Sequence, residues 1–385
     1  MPWKETNAVS ERTEFVCRAR VGNDTMVELC REFKISTKTG YKWLRRYDEE
    51  GRQGLHDQSR APHHKPQQIG EEQICAIIRL KSKRQNWGPK KIREILKKTQ
   101  TRTPSLSTIK RILKKVGMTA RRRRRRSSEE CGRISNRIEA AAPNDVWTID
   151  FKGHWYSAER KRVQPLTVQD AHSRYLLYAQ AVSDGRMETV RKVMEKLFEQ
   201  YGLPRTIRSD NGPPFASVQS PLGLSQLSAW WVSLGINLDR IRPGHPEENG
   251  GHERMHRDMA VEVEQEVGGD WAEQQAALEL WRKERNEMRP HEALGMKVPA
   301  EVYVKSDRKW RKEDEGMKYP LECLSRRVTR NGNISVNGVK IRITETLANR
   351  QVGLKRISGQ SYAVWYGPLM LGTVNMETEA FETQN

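Results

Sequence analysis

Three carboxylates stand in settings that could do chemistry. Asp150 lies in V-W-T-I-D-F, Asp210 in R-S-D-N-G-P-P-F and Glu253 in E-N-G-G-H-E-R. Acidic residues brought together from separate elements can hold two divalent cations for phosphoryl transfer. Each also has a plainer reading. D-N-G is a turn sequence, and a glutamate in a first helical turn complements the helix dipole. Asp150 is harder to explain away, because aspartate is disfavoured within a strand. It shares a sheet face with Val146 and Thr148. Asn249 is placed to cap a helix whose first turn holds Glu253, with His256, Arg257 and Ala260 on the same side. Glu247 and Glu248 compete for the third position, but they precede the helix and are expected to be mobile. The expected ion is Mg²⁺, which takes a few carboxylates plus water and phosphate oxygens. Two ions are expected, Asp150 bridging both and Asp210 and Glu253 holding one each.

The rest of the chain must position these groups and bring a substrate to them. Its 385 residues suffice for several domains. Lys and Arg outnumber Asp and Glu by 69 to 49, a net charge of +20 that attracts a polyanion. No apolar run is long enough to span a membrane, and the N-terminus lacks a signal-peptide core. Five scattered cysteines without a C-x-x-C predict no disulfide framework and fit a reducing cytoplasm. His63, His64 and Cys75 do not make a zinc ligand set.

Helical spacing over 25–33, a turn at 34–36 and a second helix over 37–50 predict a helix-turn-helix. Lys38, Tyr41, Lys42 and Arg45 on the second helix are its candidate DNA contacts. A Gly/Pro/His-rich connector over 51–68 follows, where Arg60 could track a phosphate backbone. Helical patterning resumes at 71, continues over 87–96 and ends in a helix over 105–115 that Ser107 could cap. This predicts a second module of the same kind. Lys90, Lys91, Lys110, Arg111 and Lys114 are its candidate contacts, with Lys115 beside them. Arg121, Arg122, Arg123, Arg124, Arg125 and Arg126 form an unbroken run that opposes compaction unless a polyanion neutralises it.

Between 146 and 288 the pattern changes. Strands are predicted over 146–155, 164–170, 175–182, 205–210 and 237–242, and helices over 189–201, 224–234, 250–267 and 271–288. Three strands followed by alternating helix and strand give a mixed α/β sheet flanked by helices. The region after about 315 is strand-rich, with Asn331-Gly332 and Asn337-Gly338 as hairpin turns. A small β-barrel is expected there. Arg326, Arg327, Arg330, Lys340 and Arg342 suit it to DNA, although a merely stabilising appendage explains them equally.

The motifs W-T-I-D-F, S-D-N-G-P-P-F and H-P-E-E-N-G-G-H-E-R together resemble the integrase core of DDE transposases and retroviral integrases. The arrangement is most similar to bacterial insertion-sequence transposases with N-terminal helix-turn-helix domains. Residues 168–175 resemble the second strand of that core, and residues 286–303 the segment after it. The resemblance spans roughly 10–375 and puts the catalytic, metal-binding positions on Asp150, Asp210 and Glu253. It implies a ribonuclease-H-like core, divalent metal (Mg²⁺, with Mn²⁺ as a substitute), cleavage at element ends and attack of the 3′-hydroxyl on target DNA. It also implies a homo-oligomer, dimer or tetramer, holding two ends of double-stranded DNA. A bacterial cytoplasmic, nucleoid-associated location follows. Asp210 and Glu253 have 42 residues between them, more than in retroviral members. The surplus falls in a loop at 217–225, and the retroviral zinc-binding N-terminal domain is absent.

The expected organisation is therefore multidomain. It comprises helix-turn-helix modules at 1–60 and 61–120, an Arg-rich linker at 121–142, an integrase core at 143–305 and a small DNA-binding barrel at 306–385. Two other classes compete with an active transposase: a regulator derived from one, which binds DNA without catalysis, and a ribonuclease-H-like nuclease, which cuts without joining.

Overall fold

The computed structural model describes residues 7–59, 69–99, 102–119, 138–242, 245–264, 269–312 and 316–384. Residues 1–69 and 70–385 form two compact units. Arg60 and the arginine run 121–126 lie outside the described residues.

The first unit contains α1 (Ala8–Val21), α2 (Met26–Glu32) and α3 (Thr37–Glu50), closed by a 3-10 turn at Gly51–Leu55. Thr25 and Glu28 form a capping box on α2, and Ser36 accepts a hydrogen bond from Thr39 N to start α3. Phe15, Val16, Leu29, Cys30, Trp43 and Leu55 make one buried core. Helix α3 packs so closely that a Cβ on Gly40 would lie 2.6 Å from Cys30 Sγ. The first helix-turn-helix is present as expected.

The second unit opens with α4 (Glu71–Lys83), α5 (Pro89–Thr99) and α6 (Leu106–Lys115). Ile77, Trp87, Ile92, Leu96, Ile109, Ile112 and Leu113 are buried in this module. Its last helix has the predicted extent but a different cap. Ser105, not Ser107, is the cap, because Ser105 keeps an extended backbone and its Oγ accepts from Thr108 N at 3.2 Å.

The central sheet runs through β1 (Val146–Phe151), β4 (Pro165–Asp170), β5 (Leu176–Ala181), β6 (Thr206–Ser209) and β7 (Asn237–Arg240). A two-stranded flap, β2 (Trp155–Tyr156) and β3 (Arg162–Val163), lies between β1 and β4. The strand predicted over 146–155 is therefore broken, and Gly153 with φ +20° marks the bend. Strand order is β5-β4-β1-β6-β7, antiparallel through β1 and parallel from β1 to β7. Helices α7 (Met187–Tyr201) and α8 (Gln226–Ser233) cover one face, where Trp147, Ile149, Val168, Ile207, Phe198 and Trp230 are buried together. Helices α9 (Gly250–Met259) and α10 (Trp271–Glu287) cover the other face through Met255, Met259, Leu278 and Trp281. The chain thus has the mixed sheet that its pattern predicts.

The C-terminal region corrects one expectation. Strands β8 (Leu324–Arg327), β11 (Gln351–Ser358), β12 (Ser361–Tyr366), β13 (Leu369–Asn375) and β14 (Ala380–Thr383) form an antiparallel sheet in the order β14-β13-β12-β11-β8. Strands β9 (Asn333–Val336) and β10 (Val339–Arg342) form a separate hairpin on the predicted Asn337-Gly338 turn. Both sheets are open, so no barrel closes. The hairpin shares the core of Ile334, Val336, Ile341, Val352, Leu354 and Val364. At its border with β8, Arg326 Nε donates to Ser335 O in place of a strand ladder. The loop at 217–225 has a structural use. Leu224 joins this C-terminal core with Ala229 and Val232 of α8, and Tyr366 Oη donates to Ala229 O at 2.8 Å.

Candidate active site

Strand alternation decides where Asp150 points. Trp147 and Ile149 enter the core beneath α7 and α8, whereas Thr148 and Asp150 reach histidines of α9 on the opposite face. Asp210 follows directly after β6, the parallel neighbour of β1. The Gly212 N–H donates to its carboxylate, and Asn211 Nδ2 holds the turn by donating to Ile241 O. A Cβ on Gly212 would lie 3.1 Å from Asp210 Oδ2 and press on that carboxylate.

Glu253 lies in the first turn of α9. Two expectations around it are corrected. Asn249 occupies the N-cap position, but its side chain makes no capping bond, because a 3-10 turn at Pro246–Asn249 runs straight into the helix. Glu248 is engaged rather than free. It is buried, and it accepts from Arg242 N at 2.8 Å and from Arg242 Nε.

Asp150 feels the charge of both other acidic groups, while the cluster of ligand atoms within 4.8 Å among the described residues joins it to His252 and His256. Asp150 is pushed up to about 7, first by burial and then by the charges of Asp210 and Glu253. Burial also raises Asp210, against the pull of the Gly212 N–H. Asp210 Oδ1 is buried with no hydrogen-bond partner among the described residues. Crowded negative charge with an unpartnered carboxylate oxygen is a donor set that suits a hard divalent cation.

Beneath these carboxylates lies a polar cluster that the sequence reading missed. His252 is fully enclosed, with Nδ1 2.7 Å from Thr148 Oγ1 and Nε2 2.7 Å from Thr167 Oγ1. His256 Nε2 also lies 2.7 Å from Thr167 Oγ1, and its Nδ1 is 3.8 Å from Asp150 Oδ2. Burial holds both imidazoles neutral; His256 is lowered to about 3, with Lys152 and Arg285 adding to the effect. The available signal was H-x-x-x-H on one helical face opposite a strand alternating Thr148 and Asp150.

The candidate DNA contacts divide by environment. Lys38, Tyr41, Lys42 and Arg45 are exposed together on α3. Lys110, Arg111, Lys114 and Lys115 are exposed on α6. Of the other two of that module, Lys90 stays exposed and Lys91 does not. Lys90 pairs with Glu292 at 2.9 Å, and Lys91 is partly buried and lowered to about 8 by burial, with Arg289 opposing its charge. Arg84–Glu284 and Lys98–Glu301 ion pairs join the same surfaces.

Four family models match the chain. An integrase core domain matches residues 140–246, and a second model of that description matches 234–299. A helix-turn-helix domain matches 11–63 and a homeodomain-like domain 39–113. Among curated proteins, an uncharacterized 31.7 kDa protein of insertion element IS407 from Burkholderia multivorans is 28% identical over 63% of this chain and 84% of its own length. An uncharacterized 39.2 kDa protein of insertion element IS476 from Xanthomonas euvesicatoria is 29% identical over 47% of this chain and half of its own length. The catalytic core domain of BIV integrase, a solved structure, is 21% identical, with a TM-score of 0.31, over 42% of this chain and 93% of that one. The family matches and relatives agree with the resemblance read from the motifs, that of an insertion-sequence, integrase-like transposase.

Proposed function

From a chain with helix-turn-helix modules, an integrase core and relatives in insertion elements, we propose that this protein is an active DNA transposase. It binds the ends of a mobile element, cleaves phosphodiester bonds there and joins the 3′-hydroxyl ends to target DNA by strand transfer. The observation that carries the reading is the raised Asp150 carboxyl, which feels both Asp210 and Glu253 although the three come from different elements.

In this reading Asp150, Asp210 and Glu253 hold two Mg²⁺ ions, or Mn²⁺ in their place. When bound, the ions supply Lewis-acid stabilisation of charge on the attacking and leaving oxygens. The chain's own groups hold the ligands in place beforehand. Thr167 Oγ1 donates to the Asp150 carbonyl at 3.0 Å, the Gly212 N–H steadies Asp210, and His252 ties α9 to β1 and β4. Such preorganisation lowers the reorganisation needed during reaction.

The exposed cations of α3 and α6 grip DNA, with Arg60 and Arg121–Arg126 adding charge along the connectors. The working division is two DNA-binding modules at 1–60 and 61–120, a linker at 121–142, the core at 143–305 and a DNA-binding region at 306–385. A homo-oligomer, dimer or tetramer, holds two ends together in the bacterial cytoplasm.

The test is strand transfer in vitro with Mg²⁺ or Mn²⁺, using DNA that flanks the gene as donor. Joined products from wild type but not from Asp150→Asn are expected, with DNA binding retained by both. Joining by Asp150→Asn refutes the site assignment. Cutting without joining makes the protein a nuclease, and binding without either makes it a regulator.

A further inference from the structure

Proton counting at one hydroxyl fixes the state of the polar cluster. Thr167 Oγ1 has three partners: Asp150 O at 3.0 Å, His252 Nε2 at 2.7 Å and His256 Nε2 at 2.7 Å. A hydroxyl donates one hydrogen bond and accepts two. With both rings neutral and the Thr167 proton on Asp150 O, both imidazoles donate to Thr167 from Nε2. Each neutral ring therefore presents a lone pair at Nδ1. In His252 that lone pair is met by Thr148 Oγ1 at 2.7 Å, whose single proton then leaves its alternative acceptor, Gln169 O at 3.2 Å.

His256 Nδ1 is different. No donor reaches it among the described residues, and it faces Asp150 Oδ2 at 3.8 Å. Two acceptors turned toward one gap call for a cation between them. A separation of roughly 3–4 Å is what two donor atoms on one first-row ion adopt. The sequence spacing agrees, since Glu253 and His256 form Glu-x-x-His on α9. That i, i+3 spacing directs a carboxylate and an imidazole to one side of a helix and serves metal sites in helical bundles. The Nε2–H to Thr167 bond fixes the ring and its tautomer, as the outer partner of a metal-bound imidazole does. Asp150, His252 and His256 lie within 4.8 Å of one another, but His252 has no free nitrogen, so its part is to position.

We infer that His256 Nδ1 is a further ligand of the ion held by Asp150, giving a mixed oxygen and nitrogen site that prefers Mn²⁺ to Mg²⁺. Mg²⁺ keeps to oxygen and demands near-ideal octahedral geometry, whereas Mn²⁺ shares its taste for carboxylates but, as a first-row transition ion, accepts an imidazole nitrogen more readily. The inference rests on the proposed role of Asp150 as a metal ligand.

The test uses the full chain with Mn²⁺ alone and reads pulsed electron paramagnetic resonance. Wild type should show nitrogen-14 modulation from a directly bound imidazole, and ¹⁵N-histidine labelling should shift it. His256→Ala should abolish the modulation and weaken Mn²⁺ binding by at least about tenfold, with Mg²⁺ binding changed far less. Should that variant fail to fold, His256→Gln, which keeps a polar side chain without an imidazole, takes its place in the comparison. Asp150-dependent Mn²⁺ binding without nitrogen coupling overturns the inference and leaves the carboxylate site standing. Nitrogen coupling that survives His256→Ala also overturns it. Mn²⁺ binding that is absent, or indifferent to Asp150→Asn, overturns the carboxylate reading itself.

Discussion

At the scale of single residues, the site stores unfavourable charge. Asp150 is raised from 3.8 to about 7, so the folded chain binds this proton more tightly than the unfolded chain. Its contribution to stability is complete below about pH 4 and is lost as pH rises through 7. The depressed histidines act in the opposite sense; His252 is common to wild type and variant, while His256, 3.8 Å from Asp150, is coupled to it. Metal-free Asp150→Asn should therefore match wild type near pH 4. At pH 8 it should exceed wild type by on the order of 1–3 kcal/mol. Urea unfolding at the two pH values checks this, and equal pH dependence in both proteins would remove the charge convergence on which the site is argued. Added divalent cation should reverse the order, because only the carboxylate gains from it.

Between elements, Thr167 is the clasp. It lies opposite Asp150 in the β1–β4 ladder and meets both histidines of α9. Thr167→Val keeps the shape but leaves two ring N–H groups and a carbonyl without their partner. A loss of about 2–4 kcal/mol is expected from such buried groups. Thr167→Ser should restore most of it, as both hydroxyls bond alike. Thermal unfolding of the two variants is the measurement, and a Val variant as stable as wild type would show that the hydroxyl clasps nothing. The same helix illustrates a limit of pattern reading. A single helix over 250–267 was expected, yet α9 ends at Met259 and gives way to a π-turn at Ala260–Glu264. That turn lets Glu264 pair with Lys152 and Glu262 with Arg289.

Over the whole molecule, the +20 charge is shared unequally between binding and structure. Lys90 is exposed but paired with Glu292, while Lys110, Arg111 and Lys114 are exposed on α6 without an ion pair among the described residues. Each phosphate contact contributes a slope of about 0.9 to the salt dependence of binding. Lys110→Ala, Arg111→Ala and Lys114→Ala combined should lower the slope by roughly 2.7. Lys90→Ala should leave it unchanged. Binding titrations across a salt series distinguish the two, and an equal effect would mean that Lys90 leaves Glu292 when DNA arrives.

Much of this was legible in the chain itself. Period-two alternation in V-W-T-I-D-F set which residues share a face with Asp150, and helical spacing set α7, α8 and α10 to within a few residues. Capping and turn chemistry located Asp210 at a strand end, because D-N-G cannot continue a strand. These are local properties, and neighbouring residues suffice to specify them. Tertiary contacts decided the rest. Glu248 is held by Arg242, Lys91 is partly buried rather than exposed, and Arg326 meets the hairpin where a barrel would have needed a ladder. The histidine cluster is the clearest case. Thr148, Thr167 and His252 are unremarkable alone, and only the packing of α9 across β1 and β4 makes one hydroxyl serve two rings. Desolvation and shared hydrogen bonds depend on distant segments meeting, so no window of sequence contains them.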